Sequence, residues 1–175
     1  DLANTYGNLV SRTVSMTKKY FDGHIPAPGA VDPLDDDLAA TAKKAFDGFV
    51  ANMENYHIAD AMESIFDLLR RANKYIDETT PWALAKDESL KPRLATVIYN
   101  LLESLRIAAI LLASAMPNTS TTILDVLGAD NDFDSAATFG VLKADHDVKD
   151  VSILFARIDE KKMMEQIEAD KNADA

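Results

Sequence analysis

The chain contains no cysteine. Disulfides and thiolate metal sites are therefore excluded within it, and a reducing compartment is compatible with that composition. Glycine is sparse, and none of the six glycines falls in a phosphate-cradling spacing. No nucleophile–base signature is present. Positive charge is short as well: 18 Lys and Arg against 29 Asp and Glu leave a formal charge of −11. That balance argues against general affinity for nucleic acid, because phosphate binding is driven by Lys and Arg displacing counterions. Any contact with RNA has to be local. The longest strongly apolar run, Ile107 to Met116, is shorter than the roughly 20 residues that cross a bilayer, and it reads as buried helix. No basic stretch leading into an apolar one marks a secretory signal. A chain that opens on Asp1 rather than Met is expected to be a fragment or a processed product.

What is present is helical periodicity. At 175 residues the chain is long enough for one domain with a real core. Leu2, Tyr6, Leu9, Thr13, Met16 and Tyr20 recur at spacings of three and four and predict a first helix to about Phe21, stopped by Gly23 and Pro26. A loop follows to Pro33. A second helix is expected from near Asp35 to Glu54, with Asp35, Asp36 and Asp37 suiting its amino end. A third runs from near Tyr56 to Pro81 on the stripe Ile58, Met62, Ile65, Leu69, Ala72 and Ile76. A fourth, from about Leu90 to Met116, is apolar around most of its circumference and should be central to a bundle. Pro117 is expected to end it, and Asn118 or Thr119 to cap a short fifth helix through Leu127, stopped by Gly128. Residues 129 to 150 look irregular. Val151 to Ile158 reads as extended, and Asp159 to about Asp170 as a charged last helix. The pattern predicts an all-α antiparallel bundle over residues 1–128. A tail over 129–175 packs back on it and ends in a short helix or linker.

Few residues could carry chemistry. Glu54 and His57 form a Glu-x-x-His pair of the di-iron type, but the second copy and the further glutamates that such a site needs are lacking, so His57 reads as the start of the third helix. No catalytic or metal-ligating set is assigned. Arg70, Arg71 and Lys74 read either as a basic patch or as the solvated face of an amphipathic helix. Asn8 and Arg12 share a helix face beside the apolar stripe, and Ser15 and Lys19 continue the line. This ridge offers an amide and a planar guanidinium fork to a ligand with both donors and acceptors. Trp82, the lone tryptophan, follows Pro81, whose ring fixes the backbone. An exposed indole beside such a ridge suits a splayed RNA base, although a lone Trp also suits a core or corner position.

The strings themselves carry more. LANTYGNLVSRTVSMTKKYFDG at residues 2–23 resembles the opening helix of the anticodon-binding domain of bacterial methionyl-tRNA synthetase. YHIADAMESIFDLLRRANKYIDETTPWALAKD at 56–87 and LATVIYNLLESLRIAAILLASAMPNTS at 94–120 resemble its following segments in the right order. ILFARID at 153–159 is similar to the point where that domain folds back toward the catalytic side, and residues 129–150 match least. The Asn8-x-x-x-Arg12 spacing and the Pro81–Trp82 pair single out the methionine enzyme among class I synthetases.

The resemblance implies an all-α bundle of the class I anticodon-binding type, recognising the CAU anticodon of tRNA-Met, chiefly its first base. Trp82 would stack on that cytosine, Arg12 would donate to its acceptor edge, Asn8 would position or read the loop, and Pro81 would orient Trp82. Lys18, Lys19 and Arg71 are candidates for phosphate without a motif match, and Asn73 and Asp77 are expected to be structural. The family's ligase reaction uses ATP–Mg, and often zinc, in a catalytic half whose His-Ile-Gly-His-like and Lys-Met-Ser-Lys-Ser-like motifs do not occur here. This segment alone should therefore be inactive and hold no cofactor. The expected partners are the tRNA anticodon loop and the catalytic domain of the same protein, in the cytoplasm, with neither DNA nor membrane. Ala115 and Ala156 depart from the residues usual in the family, away from the recognition residues. An acidic helical scaffold that binds protein instead of RNA is the alternative.

Overall fold

Every residue from Leu94 to Leu112 is buried in a helix that the rest of the chain surrounds. The computed structural model describes residues 2–144, 146–155, 160, 163–165 and 167. Six α-helices occur among them: α1 (Asn8–Phe21), α2 (Pro33–Glu54), α3 (Ile58–Thr79), α4 (Pro81–Leu84), α5 (Lys91–Leu112) and α6 (Pro117–Leu127). No strand occurs among the described residues, and one isolated antiparallel bridge joins His24 to Asp147. The architecture is the expected all-α bundle. By length and composition the helical stretch Glu88–Leu112 could span a bilayer, but its apolar window is wholly buried against the other helices. Core burial accounts for its apolarity.

Most boundaries shift for identifiable reasons. The first turns, Leu2–Gly7, are π-helical and lead into α1. Helix α2 starts at Pro33 because Asp32 caps it, accepting from Leu34 N at 3.0 Å, while Asp35 accepts from Asp32 N at 2.8 Å. That reciprocal capping satisfies two orphan donors. Pro117 opens α6 at a first helical position, where its missing N–H costs nothing, instead of ending α5, which stops at Leu112. The cap position of α6 is Met116, without a side-chain hydrogen bond, so neither Asn118 nor Thr119 caps it. Gly128 does terminate α6, at φ 61° with the His146 ring against its Cα, where a Cβ would collide.

The irregular segment after α6 is fastened to the bundle. Ala136, Leu142 and Val148 belong to the common core. A short 3₁₀ turn, Asp134–Ala137, carries Phe133 onto Phe46 and Phe49 of α2 at ring distances of 5.3 and 6.2 Å. The loop after α1 pairs with this segment: Ile25 N donates to His146 O at 2.7 Å and Val148 N to Gly23 O at 2.8 Å. Phe155 returns to the chain start, 6.2 Å from the Tyr6 ring. Of the expected last helix, residues 160, 163–165 and 167 are helical, and the rest lies outside the described residues, as does Ala156.

Candidate nucleic-acid interface

Helix α1 is two-sided. Leu9, Val10, Thr13, Val14 and Thr17 are buried, and Asn8, Arg12, Ser15 and Lys19 lie along the exposed side. Opposite that ridge the chain turns a corner. Thr80 ends α3 and precedes α4 in the left-handed region, at φ 44° and ψ 61°. Its N–H donates to Ile76 O at 3.0 Å, and its carbonyl accepts from Ala83 N at 2.8 Å. A β-branched residue at positive φ is strained by roughly 1–3 kcal/mol, so bonds on both sides hold the corner. Pro81 is buried behind it, and Trp82 stands out with 46% of its surface exposed.

Between the ridge and the corner lies an open groove of about 370 Å³ lined by Ser11, Arg12, Ser15, Met16, Lys19, Tyr20 and Trp82. The structure thus brings Arg12 and Trp82 to one cavity. Asn8 is exposed one turn earlier on the same helix but does not line the groove. Pro81 supports the corner from inside and does not line it either. The groove floor is apolar, from Met16 and Tyr20, with polar walls. An aromatic ring with an edge of donors and acceptors suits such a cavity.

The surrounding charges are mostly spoken for. Arg12 Nη2 is 3.7 Å from Asp77 Oδ1. Lys18 pairs with Asp150. Arg71, among the candidates for phosphate, is largely buried, donates to Asp37 at 2.5 Å and is ion-paired with Glu78 at 3.0 Å, so it ties α3 to α2. Arg70 is held by Glu63 and Asp67, and Lys74 by Glu78, as befits the paired, solvated face of an amphipathic helix. Asn73 is structural: its amide donates to Thr5 O at 3.1 Å and to Leu69 O at 2.9 Å. Asp77 instead faces the ridge. His57 is the residue preceding α3, and no cluster of potential metal ligands occurs among the described residues.

Two buried polar networks, which periodicity does not reveal, tie the bundle together: one joins α2, α3 and α5, and the other fastens residues 135–142 to α5. In the first, Asp35 accepts a bidentate pair from Arg93 at 2.8 and 2.9 Å and a hydrogen bond from the Tyr75 hydroxyl. Burial, and then the bond to Asp35, pushes the Tyr75 phenol well above its ordinary range. In the second, Glu103 and Arg106 pair inside α5 at 2.8 Å, both almost wholly buried. Glu103 accepts from the backbone N–H groups of Gly140, Val141 and Leu142 at 2.8–3.1 Å. Arg106 donates to the Ser135 hydroxyl at 2.7 Å and to the carbonyls of Ser135 and Thr138 at 3.2 and 3.1 Å. Tyr99 donates to Leu142 O at 2.7 Å, and burial pushes its phenol up to about 12. In the sequence the second network shows only as Glu103 and Arg106, opposite charges three residues apart between apolar neighbours of α5, and such residues are rarely buried unless paired.

The model of a family described as the anticodon binding domain of methionyl tRNA ligase matches residues 25–171. That span includes Trp82 and stops short of Asn8 and Arg12. Methionine–tRNA ligase of Clostridium tetani is 48% identical over 168 residues, 95% of this chain and 26% of that protein. The corresponding ligase of Caldanaerobacter subterraneus subsp. tengcongensis is 46% identical over 170 residues, 96% of this chain and 27% of that protein. Among solved structures, the apo form of Mycobacterium tuberculosis methionyl-tRNA synthetase superimposes with a TM-score of 0.82 at 36% identity, covering 90% of this chain and 32% of that one. The same enzyme in complex with methionyl-adenylate gives 0.83 at 34% identity, covering 90% and 31%. The chain therefore spans about a quarter of the length of the curated relatives it matches.

Proposed function

We propose, from the premise that the chain belongs to the anticodon-binding-domain family of methionyl tRNA ligase, that its open groove reads the CAU anticodon of tRNA-Met. One observation carries the reading: the lone, half-exposed Trp82 shares a groove with the Arg12 guanidinium. The first anticodon base, cytosine, lies on the Trp82 ring, and stacking of this kind is worth roughly 1–3 kcal/mol. Arg12 reaches the acceptor edge of that base with a planar donor fork. Asn8 stands one turn away and steers the loop. Pro81 acts from within by fixing the corner that presents the indole.

We assign no catalytic step to this chain. The ligation of methionine to tRNA, with its ATP–Mg and any zinc, belongs to the larger remainder that the relatives possess, in a cytoplasmic translation enzyme. The excess of acid fits this division: a surface that repels phosphate in general restricts RNA to one groove.

The test is a titration of the chain with a CAU anticodon stem-loop, followed by the fluorescence of Trp82. Quenching by CAU, with much weaker quenching when the first base is changed, supports the reading. No response at low salt and high concentration would overturn it in favour of the acidic protein-binding scaffold.

A further inference from the structure

The groove beside Trp82 does not end at Tyr20. A second recess of about 180 Å³ opens on its other side, walled by Leu84 of α4 and by Lys91 and Leu94 of α5. Lys19 and Tyr20 line both cavities and form the divide between them. The charges along this path are unequal in their freedom. Arg12 faces Asp77. Lys91 is paired with Glu88 at 3.1 Å. Asp87 is bonded to the N–H and hydroxyl of Ser89. Lys19 is exposed, and its ammonium lies 5.3 Å from its neighbour's ring in Tyr20, with no carboxylate paired to it among the described residues. Its sequence neighbour Lys18 points elsewhere and pairs with Asp150.

We infer that Lys19 binds the RNA phosphodiester that joins the nucleotide stacked on Trp82 to the nucleotide beside it. The strand then passes over the Lys19–Tyr20 divide from the first cavity to the second. An anion is unwelcome deeper in the second recess, where Asp87 and Glu88 stand, so its first stable position is on the divide. A cation already neutralised by a carboxylate releases no counterion on meeting phosphate, whereas an unpaired one does. Lys19 is therefore a positioning residue: it sets the register of the strand and carries no base information.

This rests on the proposed reading of the groove, and the experiment separates the two. Binding of a CAU stem-loop, and of one with the first base changed, is measured over a range of salt for the wild-type chain, Lys19→Gln and Lys18→Gln. Removing one phosphate contact lowers the slope of log affinity against log salt by about 0.7 for a single-stranded segment. Lys19→Gln is expected to show that fall and to weaken both loops by the same factor. Lys18→Gln is expected to leave the slope and both affinities unchanged. An unchanged slope for Lys19→Gln overturns the inference, as does an equal effect of Lys18→Gln. A selective loss for CAU also overturns it, since Lys19 would then touch a base edge. A wild-type chain that binds neither loop at low salt removes the reading of the groove, and this inference with it.

Discussion

Arg12 Nη2 and Asp77 Oδ1 stand 3.7 Å apart, joining α1 to α3 at the rim of the groove that holds Trp82. Both side chains are well exposed, so the pair contributes at most about 1 kcal/mol to stability. Its effect on a ligand is larger in kind than in size. The carboxylate orients the guanidinium but also offsets its charge and repels incoming phosphate. Asp77→Asn is therefore expected to leave the melting temperature almost unchanged and to tighten binding of anticodon stem-loops at low salt. Weaker binding in that variant would mean that Asp77 serves mainly to aim Arg12.

Removal of Trp82 is expected to leave the fold intact. It lies on a one-turn helix with nearly half its surface in solvent. Trp82→Ala should keep the helical circular dichroism and lose about 1–3 kcal/mol of stem-loop binding, together with discrimination of the first base. Collapse of the helical signal would make the indole a structural residue instead.

Thr80 offers a complementary test on the same corner. Glycine relieves the strain of its positive φ, partly offset by the entropy glycine adds to the unfolded chain. Thr80→Gly is expected to raise thermal stability by up to about 1 kcal/mol while loosening the presentation of Trp82. Stability rising as affinity falls is the expected signature, read by thermal melts and the stem-loop titration together.

These contrasts show which parts of the site the sequence could express. The stripe through Leu9, the outward line Asn8–Arg12–Ser15–Lys19 and the Pro81–Trp82 corner are local patterns, readable from spacing alone. The pairing of charges is not local. Asp77, Asp150 and Asp37 reach Arg12, Lys18 and Arg71 from distant parts of the chain, so no periodicity separates Lys19 from its neighbours. The start of α2 lies two residues before Asp35 because a side chain acts across residues, Asp32 accepting from Leu34 N. Residues 135–142 carry no helical period because their order comes from Glu103 and Arg106, which lie in a different element.

That holding pair invites a mutation with a large cost. Glu103 is fully buried, and its carboxylate depends on Arg106 and on three backbone N–H groups. Arg106→Ala leaves the carboxylate buried without its cation and strands the carbonyls of Ser135 and Thr138. Breaking one side of such a pair costs about 3–5 kcal/mol. Denaturant unfolding should show that loss. Amide exchange should show residues 133–142 losing protection before the helices do.

Alkaline pH should unfold the chain through its buried phenols. Tyr6 is fully buried, with no hydrogen-bond partner for its hydroxyl, and burial raises its ionisation well above the ordinary range. Tyr75 is raised by burial and by the neighbouring Asp35 carboxylate. Tyr99 is raised from 10.0 to about 12 by burial, with Glu103 adding to it. In each case the folded chain holds the proton more tightly than the unfolded one. The stability this contributes is complete below pH 10 and is lost as pH rises toward and through about 12. Phenolate absorbance of these three tyrosines is therefore expected to appear together with the loss of helical circular dichroism, in one cooperative step. Tyr99→Phe removes one ionising group at the expense of the bond to Leu142, so it should lower stability at neutral pH and flatten the alkaline decline. Phenolate signal from all five tyrosines developing while the helices remain intact would contradict this account of their burial.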